Sequence, residues 1–290
     1  MTLDDTLPRL TVAQRISPER LGEREFRGPA HPGPSTRSFG GEVAAQAIHA
    51  AALTVPEDRS IHTAHTWFLL PGDTSLPVDY RVRDVRDGGS FTTRSVDAAQ
   101  GDRVIFTMTA SFQKPEAGLE HQVGEVRSPA PEELSLPAEM LPPGENLAWI
   151  QNLEEMSGFE FRFPELPTRS RAAGGVVGDP RQRAWLRSRE AIPDDDLSQV
   201  AGLAFASDML LLSTSLGPHR RTLQKGMQFA TVNHIIWFHR PMRVDEWFLY
   251  DMTSRWAGSA RALCYGEIFD RSGRLCASTA QEGLLRLRRT

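Results

Sequence analysis

Three polar residues on apolar elements could do chemistry, and they stand out to different degrees. Asp208 interrupts "QVAGLAFASDMLLLS" (Gln199 to Ser213), where its helical neighbours are Ala204, Phe205, Leu211 and Leu212. A helix this apolar is wrapped by other structure, and an unpaired buried carboxylate costs several kcal/mol, so Asp208 needs partners or a raised pKa. The other reading is a helix break, with Asp208 capping a new turn at Met209. Gln281 follows the small residues Ala277, Ser278, Thr279 and Ala280 in the closing "RLCASTAQEGLLRL". Small side chains admit a helix or a ligand, and Gln281 would reach into that space; a solvated or internally satisfied glutamine is the plain alternative. Thr231, in "FATVNHIIWFH", is by itself an ordinary strand residue.

His65 and His234 each begin an aromatic strand, and their recurrence favours a fold-supporting hydrogen bond over catalysis. They remain the candidates for substrate binding. His234 and His239 fall on opposite strand faces, which speaks against a shared metal. No GxSxG, GxGxxG or Walker A motif occurs, and "AAGGVVGD" (Ala172 to Asp179) reads as a loop.

The elements that must position these residues come in two similar sets. In the first, the small-residue helix "FGGEVAAQAIHAA" precedes strand-like runs at 65–70, 78–86, 91–99 and 103–112. In the second, the Asp208 helix precedes runs at 227–238, 247–256, 260–269 and 274–287. "HTWFLLP" answers "HIIWFHRP", and the turn "QGDR" answers "RSGR". Each half is thus one helix followed by mostly antiparallel strands, an α+β unit occurring twice. Between them, Pro129, Pro131, Pro137, Pro142 and Pro143 exclude a long helix or central strand from "KPEAGLEHQVGEVRSPAPEELSLPAEMLPPGE". The expected boundaries are 1–113, an exposed linker at 114–147, and 148–290.

A chain of 290 residues is comfortable for two domains, and 40% hydrophobic with 24% charged residues is a globular composition. A net charge of −4, with Lys114 and Lys225 the only lysines, gives no case for nucleic acid. Cys264 and Cys276 form no CxxC pair, against a disulfide scaffold or zinc site. The acidic start "MTLDDTLPRL" lacks a signal-peptide core, and no run approaches the ~20 apolar residues expected of a membrane span. A cytoplasmic protein is expected.

In combination, "FGGEVAAQA", "FLLPGD", "RDGGSFTTR" and "TASFQ", then "ASDM", "WFHRP", "DEWFLY", "GRLCAST" and "AQEG", resemble the acyl-CoA thioesterase II family from about Phe39 to Arg286. The resemblance implies a double hotdog, two tandem helix-wrapped antiparallel sheets. It also implies hydrolysis of acyl-CoA without an acyl-enzyme, by a water that Asp208, Thr231 and Gln281 orient and Asp208 deprotonates. It calls for no metal or redox cofactor, and hotdog proteins usually form homodimers or higher homo-oligomers. Counting from the hairpin glycines and strand histidines, Gln281 matches Thr109 and Thr231 matches His62, while Glu42 is the first helix's one acid. One active site, in the second half, is therefore expected, the first half completing the substrate pocket. Members of the family commonly carry Asp just before the strand histidine, where this chain has Asn233. A hotdog hydratase would want a His close to Asp208; a non-catalytic acyl-CoA-binding protein would have little need of a buried Asp.

Overall fold

Left-handed glycines close the two hairpins that the sequence marks. Gly101 (φ 59°) and Gly273 (φ 82°) occupy a region that costs other residues about 1–2 kcal/mol, so each chain reversal falls where a glycine stands. The computed structural model describes residues 10–31, 35–124, 126–219 and 227–287; most of the acidic start lies outside them. In chain order the elements are α1 (Val12–Ile16), β1 (Glu19–Arg20), β2 (Glu25–Gly28), α2 (Gly40–Ala52), β3 (Ser60–Phe68), β4 (Val78–Asp87), β5 (Phe91–Gln100) and β6 (Arg103–Gln113). There follow α3 (Pro137–Met140), α4 (Glu145–Ser157), β7 (Phe159–Arg162), α5 (Thr168–Ala173), β8 (Arg181–Ser188) and α6 (Asp196–Ser207). The last strands are β9 (Met227–Phe238), β10 (Phe248–Gly258), β11 (Arg261–Phe269) and β12 (Leu275–Leu287).

The chain folds as two compact units that do not coincide with its two halves. The first takes the chain up to Leu119 together with Ile192–Asp208 and Ile235–Phe238; the second takes Glu120–Ala191, Met209–His234 and His239–Thr290. The first unit therefore holds both long apolar helices, α2 and α6, lying against each other. Its strands run in the order β1-β2-β4-β5-β6-β3, all neighbours antiparallel. Alternation sets the core face: on β5, Val96 and Ala98 are buried while Ser95 and Asp97 are not. α2 packs across β3, β4, β5 and β6.

The second unit orders its strands β9-β12-β11-β10-β8-β7. Its sheet is covered not by an α-helix, as expected, but by a 3-10 turn, Leu211–Leu216, whose six residues are all buried against β8, β10, β11 and β12. The helix read through Ser213 stops at Asp208 because the chain turns left-handed at Leu210 (φ 66°). The break that the sequence left open is observed, but Asp208 closes α6 and does not cap a turn at Met209; the next turn begins at Leu211 after Leu210. Together, 196–216 is long and apolar enough to pass as a membrane span, contrary to the sequence reading, but 83% of that window is buried inside the protein.

The Pro-rich stretch is not a free linker beyond residue 120. Gln122 bridges the β11–β12 hairpin, donating to Gly273 O (2.9 Å) and accepting from Leu275 N (2.8 Å). Trp185 Nε1 donates to Ser128 Oγ and Pro129 O, and Val126 and Leu134 pack on the Trp185, Trp247, Leu249 and Phe269 cluster.

Candidate functional site

Gln281 is fully enclosed, at 0% exposure. It sits on β12 opposite Cys264 of β11, with Thr279 and Gly283 as the other residues of its face. Its Nε2 donates to Thr231 Oγ1 of β9 at 3.0 Å. Because Thr231 accepts there, its own hydroxyl hydrogen is turned away from the amide. The structure thus brings two of the three expected residues together. The hydroxyl is half-buried, and the amide behind it is inside.

Asp208 lies in the other compact unit, at the C-cap of α6, where its N–H donates to Ala206 O. Its carboxylate abuts the first residue of α2: a Cβ on Gly40 would stand 2.8 Å from Asp208 Oδ2 and 2.9 Å from the Phe68 ring. The positive end of α2 is therefore presented to a carboxylate. The next glycine is equally constrained, since a Cβ on Gly41 would meet Phe205 O at 2.4 Å. Arg15 ties the same two helix ends. Its guanidinium donates to Glu42 in the first turn of α2 (2.9 and 2.5 Å) and lies 4.9 Å over the Phe205 ring of α6. Burial pushes the Glu42 carboxyl up, but the bonds from His31 and Arg15 outweigh it and hold the group below its usual range. "FGGEV" was legible as a motif, yet nothing in the sequence paired Gly40 with Asp208 or Gly41 with Phe205.

Gly40→Ala is the direct test of this placement. Alanine gains about 1 kcal/mol of helix propensity over glycine, so without a clash the variant would be more stable. With Asp208 Oδ2 and the Phe68 ring in the way, Tm is expected to fall instead. A variant with a raised Tm would show that Asp208 is not held against this turn.

The two histidines are not equivalent. His65 is exposed, its ring edge-on to Trp237 at 6.0 Å between centroids. His234 is 0% exposed, and burial pushes its pKa down to about 3, so it is neutral in the folded protein near pH 7. The unfolded chain takes up a proton near pH 6.5 that the folded chain refuses; stability is therefore full above that value and is lost as pH falls toward 3. Between pH 7 and 5 this loss amounts to about 2 kcal/mol, and His234→Gln should remove it from the denaturation profile. Parallel profiles for both proteins would contradict the assignment.

Beside the Gln281–Thr231 pair, Asn233 Nδ2 donates to Glu282 Oε2 (3.2 Å), and Arg261 Nε meets Glu282 Oε1 (2.9 Å). Glu282 is thus a support. In the first unit the matching Thr109 is exposed on β6, opposite His65 and Ser95, where Gln281 is enclosed. A cavity of about 180 Å³ at the start of β8 contains none of the three residues. Inside it Arg183 pairs with Glu165, while Arg181 pairs with Asp251 outside its lining (2.5 Å). Among the described residues, no three His, Cys, Asp or Glu side chains are grouped to hold a metal.

Comparison with known proteins agrees with this architecture. Residues 28–113 match the family of acyl-CoA thioesterase N-terminal domains, and residues 154–284 match acyl-CoA thioesterase. The chain is 37% identical over 276 residues to acyl-CoA thioesterase 2 of Haemophilus influenzae, covering 92% of this chain and 94% of that protein. The crystal structure of the acyl-CoA thioesterase II TesB2 from Mycobacterium marinum superposes with a TM-score of 0.79 at 34% identity, over 96% of this chain and 98% of that one. A hot dog fold protein of Alicyclobacillus acidocaldarius, 20% identical, shares the fold with a TM-score of 0.76, over 96% of this chain and 98% of that one. With a family match in each half and relatives along nearly its whole length, the chain belongs to the acyl-CoA thioesterase family, a double hotdog thioester hydrolase.

Proposed function

We propose that the protein hydrolyses acyl-CoA to a free carboxylic acid and CoA by direct attack of a water that Asp208, Thr231 and Gln281 orient. The observation that carries the reading is the Gln281–Thr231 hydrogen bond. A fully buried amide fixes the hydroxyl, and a fixed hydroxyl can hold a water in one pose. Asp208 is given the role of general base by the family resemblance, and the helix end against which its carboxylate stands supports an anion there.

Water oxygen bonds to the thioester carbonyl carbon while Asp208 takes its proton. The tetrahedral oxyanion then collapses with cleavage of the carbon–sulfur bond, and the departing CoA thiolate recovers a proton. Water supplies the new oxygen of the acid and the proton of the thiol, so the step balances with no acyl-enzyme and no cofactor. A thiolate leaves readily, so the barrier lies in generating the nucleophile, where a base contributes about 10²–10⁴-fold.

A single turnover in H₂¹⁸O with enzyme in excess tests the path. Direct attack puts one solvent oxygen into every acid molecule formed in that turnover. An anhydride on Asp208 would instead allow unlabelled acid and labelled Asp208. Release of thiol from acyl-CoAs of graded chain length, followed alongside, establishes which acyl groups are accepted.

A further inference from the structure

Next to the proposed water-orienting pair, β9 and β12 are joined by a second side-chain bridge with a different chemistry. Asn233 stands two residues beyond Thr231, and Glu282 directly follows Gln281. Asn233 uses both ends of its amide: Nδ2 donates to Glu282 Oε2 at 3.2 Å, and Oδ1 accepts from Glu282 N–H at 3.4 Å. The other carboxylate oxygen of Glu282 meets Arg261 Nε of β11 at 2.9 Å. The charged groups facing position 233 are therefore Glu282 and, through it, Arg261. One carboxylate links three adjacent strands at the row next to Gln281.

Strand pairing has a period of two, so a slip of one residue would turn Gln281 away from Thr231. A bridge at the adjacent row opposes that slip. We infer that Asn233 is a positioning residue: its neutral amide keeps Glu282 clamped to β9 and so keeps Gln281 within reach of Thr231. The inference rests on the proposed role of the Gln281–Thr231 pair. Only an amide fits both contacts, since a carboxylate at 233 can accept from the Glu282 N–H but cannot donate to the Glu282 side chain.

Asn233→Asp keeps the shape and changes the charge. At pH 8.5 it sets two ionised carboxylates against each other, which raises the upper pKa of the pair; near pH 5.5 they share a proton and the bridge re-forms. The expected result is a kcat reduced about three- to tenfold relative to wild type at pH 8.5, with KM little changed, recovering as the pH falls. Adding Glu282→Gln to Asn233→Asp restores a donor opposite the new acid and should return kcat at pH 8.5. A ratio of wild-type to variant kcat that is constant across pH, with or without a drop in Tm, overturns the inference. Gln281→Ala, measured in the same series, separates the two levels. Full activity there would remove the pair from the mechanism, whereas a flat Asn233→Asp ratio with an impaired Gln281→Ala sinks the clamp alone.

Discussion

Asp208→Asn is expected to lower kcat for thiol release by about a thousandfold while leaving KM within a few-fold of wild type. The substitution is nearly isosteric, and the C-cap at Asp208 is made by its backbone N–H donating to Ala206 O, so α6 should end where it does now. What Asn loses is the ability to take a proton. The neighbours argue that the carboxylate, not merely its shape, is what this position is built around. Gly40 leaves room for Oδ2, the positive end of α2 faces it, and Arg15 locks the two helix ends through Glu42 and Phe205. A left-handed leucine two residues on, Leu210 at φ 66°, is strained by about 1–2 kcal/mol and persists only where surrounding packing enforces it. Full activity in Asp208→Asn, at unchanged Tm, would remove the general base from the mechanism.

Much of this arrangement was legible in the sequence, for reasons that can be located. The run Met227–Phe238 is the strand β9 residue for residue, and the strands flanking Gly101 and Gly273 start or stop within a residue or two of where alternation and turn chemistry place them. The short β7 and β8 were missed. In "RQRAWLRS" the alternation is carried by arginines pointing out, and the Gly- and Pro-rich segment before it masks a strand start. The end of α6 could be read either way, because nothing in "SDMLLLS" announces that a leucine will adopt a positive φ. Nor could the sequence reveal that Ile192–Asp208 packs with the first unit: that follows from Gly41 admitting Phe205, a contact between residues 164 positions apart. The two strand histidines show the limit of repeat reasoning. His65 lies two residues before Trp67 but His234 three before Trp237, so strand alternation turns the first outward and the second inward.

Gln281→Ala should cost about a hundredfold in kcat, less than loss of the base, because it removes a group that holds the hydroxyl and not the group that takes the proton. The amide is fully buried, so truncation also leaves a void beside Thr279 and Gly283, and a fall in Tm of several degrees is expected with it. Packing loss and misorientation can be separated by Gln281→Met, which fills the volume without the amide. If the hydrogen bond to Thr231 is what matters, Met restores Tm toward wild type but leaves kcat low. Combining Gln281→Met with Thr231→Val closes the cycle. Two groups acting as one unit give a double variant little worse than either single one, while independent contributions multiply. The additive outcome would mean that the 3.0 Å contact between Gln281 and Thr231 is structural, and that each residue meets the substrate or water separately. A non-additive cycle with recovered stability would instead make the buried glutamine the element that fixes how Thr231 presents its hydroxyl.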